Sequence, residues 1–140
     1  NQGPGNFSGL RSSLAIAKGI SLSNNLNLFG YNTLLLCCSK FFNKKDIIYG
    51  IIKIRKKYFI KKFDTNLKGN LKMKEISIDE LVRQYQKKFL VAPKNLLRHF
   101  DKEVLKLKNL DFVDLDHNEL EFLKLKGLLD EELIKPLYLS

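Results

Sequence analysis

The chain has no tryptophan, one methionine, three prolines, two histidines and two cysteines in 140 residues, and each scarcity closes a class of function. Cys37 and Cys38 are adjacent, so a bridge between them would be strained, and neither has another cysteine to pair with. No disulfide framework therefore holds this fold, and the expected compartment is a reducing one, the cytoplasm. His99 and His117 lie far apart, with no H-x-x-x-H or H-E-x-x-H helix face and no C-x-x-C pair. That removes the common zinc patterns, and no metal site is expected. No apolar run approaches the ~20 residues of a membrane-spanning helix, and no signal-peptide pattern is present. Ser8, Ser12 and Ser13 are nucleophiles by type only, because the spacing implies no His or Lys base beside them. Asp111, Asp114 and Asp116 read as solvent-facing and capping acids before a helix.

Acids are also missing from one region. Asn1 to Ser39 carries only Arg11 and Lys18, with no acid, whereas Lys40 to Lys74 has twelve bases against Asp46 and Asp64. Glu75 to Ser140 is nearly balanced, with eleven bases and thirteen acids, so the formal excess of +10 resides in the middle segment. Lys, Asn, Ile and Leu are abundant throughout, so it is the placement of lysines and not their number that carries an argument.

What is present begins with a glycine turn, Gly3-Pro4-Gly5-Asn6-Phe7-Ser8-Gly9-Leu10-Arg11, where the backbone bends sharply and leaves little room for Cβ atoms. Ser8 is the expected N-cap of a helix over about 9–24 that Asn24-Asn25 stops. Its apolar residues spread around the circumference, which predicts a largely buried helix. Two rows of small residues, Ala15-Gly19-Ser23 and Ser13-Ala17-Ser21, would let another element approach closely. The turn can be a phosphate cradle or a purely structural bend. It fits neither the Walker spacing nor G-x-G-x-x-G, the third glycine falling one residue late.

Further on, Leu26 to Tyr31 reads as a short strand and Thr33 to Lys40 as a helix capped by Asn32. Asp46 to Arg55 and Lys57 to Phe63, rich in β-branched and aromatic residues, read as a hairpin turning near Lys56. Asp64 to Lys74, with Gly69 and Asn70, reads as a loop. Ser77 and Glu80 form a capping box for a helix to about Phe89, and Phe89 to Ala92 is a strand ended by Pro93. Lys94 to Asn109 is expected to be helical, Leu110 to Leu115 extended, and Asp116 to Lys126 a helix closed by Gly127. The tail from Ile134 is extended around Pro136. These elements describe an α/β fold, divided here into residues 1–40 and 41–140. Lys53, Arg55, Lys56, Lys57, Lys61 and Lys62, interleaved with Tyr58, Phe59 and Phe63, make the hairpin a candidate RNA surface or an ordinary solvated sheet face.

The opening stretch GPGNFSGLRSSLAIAKGISLSNNLNLFGYNTL resembles the signature of the bacterial TsaB family, GPGSFTGLRxGxxxAKGLAxxxxxPxxGVSSL. The likeness rests on Gly3, Pro4, Gly5, Phe7, Gly9, Leu10, Arg11, Ala17, Lys18, Gly19, Gly30 and Leu34, with Asn6 and Ser8 as small polar replacements. The end, Lys135-Pro136-Leu137-Tyr138-Leu139-Ser140, resembles the family's closing P-x-Y-L-R, with Ser140 in place of Arg. The family's D-A-R-x-G-E-V-Y strand survives only as Asn43 to Tyr49, after a shortened loop. The resemblance implies an actin-like ATPase fold of the hsp70 and sugar-kinase type, built from ribonuclease-H-like lobes. It also implies that the family's first strands and first helix would precede Asn1, consistent with an opening in mid-turn and without an initiator Met.

For function it implies a non-catalytic subunit that pairs with TsaD as a heterodimer and works with the ATPase TsaE. Such a complex places threonylcarbamoyladenosine next to the anticodon of tRNAs that read ANN codons. The motif loop would be Gly3, Pro4, Gly5, Phe7, Ser8, Gly9 and Arg11. The subunit interface would be Ser13, Leu14, Ala15, Ala17, Lys18, Gly19 and Ser21, occupied by a second copy where TsaD is absent. ATP and threonylcarbamoyl-adenylate would belong to the complex and tRNA would be met indirectly, the hairpin bases being the candidate contacts. The readings set against it are an independent metallo-hydrolase or carbamoyltransferase of the same superfamily, and a stand-alone basic RNA-binding module.

Overall fold

The computed structural model describes residues 1–5, 7–64, 72–131 and 134–138, the side chain of Phe7 excepted. Asn6 of the glycine turn, Gly69 and Asn70 of the expected loop, and Leu139-Ser140 of the tail lie outside the described residues. The chain forms two compact units, residues 34–119 and residues 1–33 together with 120–140. The dividing point falls near residue 33 where the sequence pattern placed it near 40, and the last twenty-one residues group with the first unit. Backbone hydrogen bonds draw the tail there, which local pattern does not encode.

The larger unit is a five-stranded sheet in the order β3-β2-β1-β4-β5. β1 (Ile47–Ile54) and β2 (Lys57–Asp64) form the expected antiparallel hairpin, and β3 (Lys74–Ile76) continues it at the edge. β4 (Leu90–Pro93) lies parallel to β1, and β5 (Leu110–Val113) lies parallel to β4. The hairpin turns at Arg55-Lys56, with Arg55 in the left-handed region at φ 58°. Alternation decides the two faces. Ile51, Tyr58 and Ile60 join Leu81, Leu90, Phe100, Val104 and Leu107 in one core cluster. On the opposite face Gly50 lies under α2 (Thr33–Ser39), where an added Cβ would come within 3.1 Å of Cys38 Sγ and 3.2 Å of Leu34 Cβ. A larger residue there would push that helix back from the strand by a few tenths of an ångström.

The Ser77 cap is present: its hydroxyl accepts from the Glu80 amide at 3.1 Å at the start of α3 (Ile78–Gln84). α3 stops before the expected Phe89, and its C-cap Tyr85 packs edge-on against Tyr49, at 5.1 Å between ring centres. The helix expected over 94–109 is broken into a 3-10 segment, Lys94–His99, and α4 (Lys102–Leu105). Phe100 between them is extended and buried, edge-on to both Tyr58 and Phe112 at 5.2 and 5.1 Å. Core packing of that ring outweighs helix propensity.

In the smaller unit α1 (Phe7–Asn24) begins one residue before Ser8, which is therefore in the first turn and not its cap. Asn25, at φ 51°, supplies the left-handed stop that was expected. Among the described residues the run 26–31 forms no strand; its β-bridge is at Gly30, whose amide and carbonyl exchange 2.8 Å bonds with Asp130. An apolar run becomes a strand only where a neighbouring backbone offers a ladder. α5 (Glu119–Leu125) starts three residues later than expected, with Asp116 accepting from the Asn118 amide, and ends before Gly127 at φ 67°.

Candidate functional site

The glycine turn is held as a joint. Gln2 donates its amide to the Tyr31 carbonyl at 2.6 Å and its carbonyl accepts from Leu137 at 2.7 Å, so the opening strand-like residues run between two other segments. The buried Gln2 side chain donates to the Lys135 carbonyl at 3.1 Å, and a Cβ on Gly30 would overlap that same side-chain amide. Gly3 sits at φ 103°, and a Cβ there would meet Leu10 Cδ1 at 2.8 Å. Its amide donates to Asn1 Oδ1 and its carbonyl accepts from Thr33, both at 2.8 Å. Both polar groups of Gly3 are engaged inside the protein, so this glycine serves the fold. Gly5 and Gly9 are under no such constraint, since a Cβ at Gly5 makes ordinary contact with Leu10 and one at Gly9 meets nothing within 4 Å.

α1 is not the buried helix its composition suggested. Among its described side chains Leu10, Leu14, Ala17 and Ser21 are half-buried, a stripe at helical spacing, and the others from Ser8 to Asn24 are exposed. Ile16, Ile20 and Leu22 are 63%, 53% and 84% exposed. The two small rows therefore have different fates. Ser13-Ala17-Ser21 borders the inward stripe, whereas Ala15-Gly19-Ser23 is open to solvent, and a Cβ on Gly19 would meet nothing within 4 Å. Arg11 and Lys18 flank a shallow cleft of about 540 Å³ walled by Pro136 and Tyr138.

The hairpin bases do not form one surface. Lys53 turns inward, its side chain only 12% exposed, and its Nζ meets Asp101 Oδ2 at 2.6 Å. The Tyr58 hydroxyl donates to the same oxygen and accepts from the Asp101 amide, both at 2.8 Å. These bonds from Lys53 and Tyr58 hold the Asp101 carboxyl below its usual range, while burial pushes the Tyr58 phenol up. Lys53 is thus a latch and is not available to RNA. Lys57 meets Glu75 at 3.0 Å. Lys61 lies over Phe63, 5.3 Å from the ring centre, while Lys62, next in the strand, stands opposite Tyr49 on the other sheet face. Arg55 and Lys56 remain exposed at the turn. Period-two alternation splits a group that looks continuous in sequence.

Nucleophile chemistry finds little support. Ser13 Oγ donates to the Leu10 carbonyl at 3.2 Å. Burial pushes the Cys37 thiol up to about 12 and raises the Cys38 thiol as well, the opposite of activation. Among the described residues no group of three His, Cys, Asp or Glu side chains is gathered as for a metal, and no helix is long and apolar enough to cross a membrane.

No family model and no curated protein matches the chain. Solved structures do. One is an uncharacterized protein with similarity to peptidase YeaZ from Pseudomonas aeruginosa, with a TM-score of 0.61 and 14% identity over 100% of this chain and 71% of that one. Another is YeaZ from Pseudomonas aeruginosa, with a TM-score of 0.61 and 14% identity over 99% of this chain and 72% of its own. The fold is that of YeaZ. The mixed α/β architecture expected from the sequence, of the actin-like ATPase type, is therefore the one observed. Within the YeaZ-like fold, the exposed α1 and the engaged glycine turn are the parts the sequence pattern had singled out. The Lys53-Asp101-Tyr58 latch had no signal, because Asp101 lies more than forty residues from both Lys53 and Tyr58.

Proposed function

We propose that this protein is a TsaB-type subunit, a non-catalytic scaffold that docks and activates a TsaD-like catalytic subunit in the formation of threonylcarbamoyladenosine on tRNA. The observation that carries the reading is the outer face of α1, where Ala15 and Gly19 leave a shallow open row beside exposed Ile16, Ile20 and Leu22. An exposed helix face that combines small residues with large apolar ones is suited to close helix packing by a partner. The YeaZ-like fold and the glycine-turn signature support the same reading. In this role the ATPase TsaE, ATP and threonylcarbamoyl-adenylate belong to the assembled complex, tRNA is its substrate, and a second copy takes the α1 face when TsaD is absent.

Of the residues first assigned to the interface, Ala15, Lys18 and Gly19 lie on exposed positions and are retained with Ser13, while Leu14, Ala17 and Ser21 are half-buried against their own unit. Gly19→Leu is the informative change, because its side chain enters open space in the isolated chain and fills the docking row. The variant is expected to melt as the parent does and to lose co-purification with TsaD. Retention of TsaD by a folded Gly19→Leu protein would remove the α1 face from the reading.

A further inference from the structure

A second basic surface exists that no stretch of sequence displays. β1, β4 and β5 run parallel, with Tyr49, Leu90 and Leu110 level in the register, so the segments that precede them leave the sheet at one end. The Tyr49 amide bonds the Phe89 carbonyl at 3.0 Å and the Leu90 amide bonds that of Asn109 at 2.9 Å, which ties those segments side by side. They bring exposed Lys44, Lys45, Lys87, Lys88, Lys106 and Lys108 to this single edge. The half-buried rings of Phe41 and Phe89 meet edge-on at 4.9 Å between them, and Lys45 Nζ lies 5.0 Å from the Phe89 ring centre. Lys106, Lys108 and Gln86 rim an adjoining groove of about 480 Å³.

Elsewhere in this unit lysines meet carboxylates: Lys53 with Asp101, Lys57 with Glu75, Lys74 with Glu80, Lys94 with Asp114. None of the six edge lysines is in an ion pair among the described residues. The acids nearest in the chain or register are Asp46, Asp64 opposite Ile47, Glu103 of the groove, and exposed Asp111 beside Leu110, fewer than the six lysines, so the edge keeps a net positive charge. A solvated surface ordinarily intersperses both signs. A second copy would present the same charge, which opposes self-association here. The aromatic rings are packed against each other rather than protruding, which suits a flat charged track better than insertion into a bilayer.

We propose that this edge binds the phosphate backbone of an RNA strand. The choice of RNA over DNA rests on the proposed role in tRNA modification; the anion-binding character of the edge does not. The test uses the whole chain and fluorescence anisotropy with an unmodified tRNA transcript, a DNA duplex of matching length, and vesicles containing phosphatidylserine, each across a salt series. The expected result is tRNA binding that weakens with salt. K44E/K45E/K87E/K88E should lower affinity at least about tenfold and flatten the slope of log K against log salt by about three. R55E/K56E, at the opposite end of β1, should leave both unchanged. Should the fourfold variant fail to fold by circular dichroism, K44Q/K87Q replaces it, with a slope reduced by about one to two. Unchanged tRNA binding in the edge variants, an equal loss in R55E/K56E, or binding only to duplex DNA or to vesicles would overturn the proposal. TsaD co-purification of the same variants is read separately, so failure of the edge and failure of the scaffold reading remain distinct.

Discussion

Asp101 shows how much one residue decides. Its carboxylate accepts from Lys53 and Tyr58 at 2.6 and 2.8 Å, and its amide donates back to the phenol at 2.8 Å. The latch joins the β1-β2 hairpin to the start of α4. Because the folded carboxyl is held below its ordinary value, its stabilisation is present above the unfolded value of about 3.9 and is lost as pH falls through the lower folded value. Asp101→Asn should therefore melt below the parent at neutral pH, with the gap closing in strong acid; thermal melts from pH 2 to 7 check this, and a gap independent of pH would argue against the latch. Removing only the hydroxyl, in Tyr58→Phe, strands the Asp101 amide and should cost about 1–2 kcal/mol. Neither residue was legible as a pair in the sequence, since a tyrosine in an alternating strand and an aspartate before a short helix each have a local explanation.

Among the elements, α1 departs most from its sequence. A helix with apolar residues on every side was expected to be enclosed, yet among its described side chains only the Leu10-Leu14-Ala17-Ser21 stripe is half-buried. The glycines report the difference. Gly3→Ala introduces a Cβ against Leu10 at a left-handed φ and should cost about 1–3 kcal/mol. Gly19→Ala places its methyl in open space on a helix and should stabilise by up to about 1 kcal/mol. Urea titrations of the two variants, moving in opposite directions, would verify that the turn is a joint and the helix face is open; a destabilised Gly19→Ala would count against the open face. The 94–109 segment teaches the same lesson in reverse, because Phe100 breaks a helical pattern to reach the core.

For the whole molecule, burial gives a direct readout of opening. Cys37 and Cys38 are fully enclosed in α2, with thiols pushed up by burial, so both should be silent to a thiol reagent at pH 8 and react together once the larger unit unfolds. Rapid native labelling of either would contradict the packing of α2 over Gly50. The sequence by itself determined the α/β class, the β1-β2 hairpin, the Ser77 cap, the Asn25 stop and the need for glycine at Gly3 of the opening turn. These follow from short-range rules: alternation, capping chemistry and left-handed backbone. Tertiary structure alone decided which face of α1 stays open, where Lys53 points, and that lysines from three separate segments share one edge. Those depend on the order in which strands pair, and pairing order is set by long-range burial that no local spacing records.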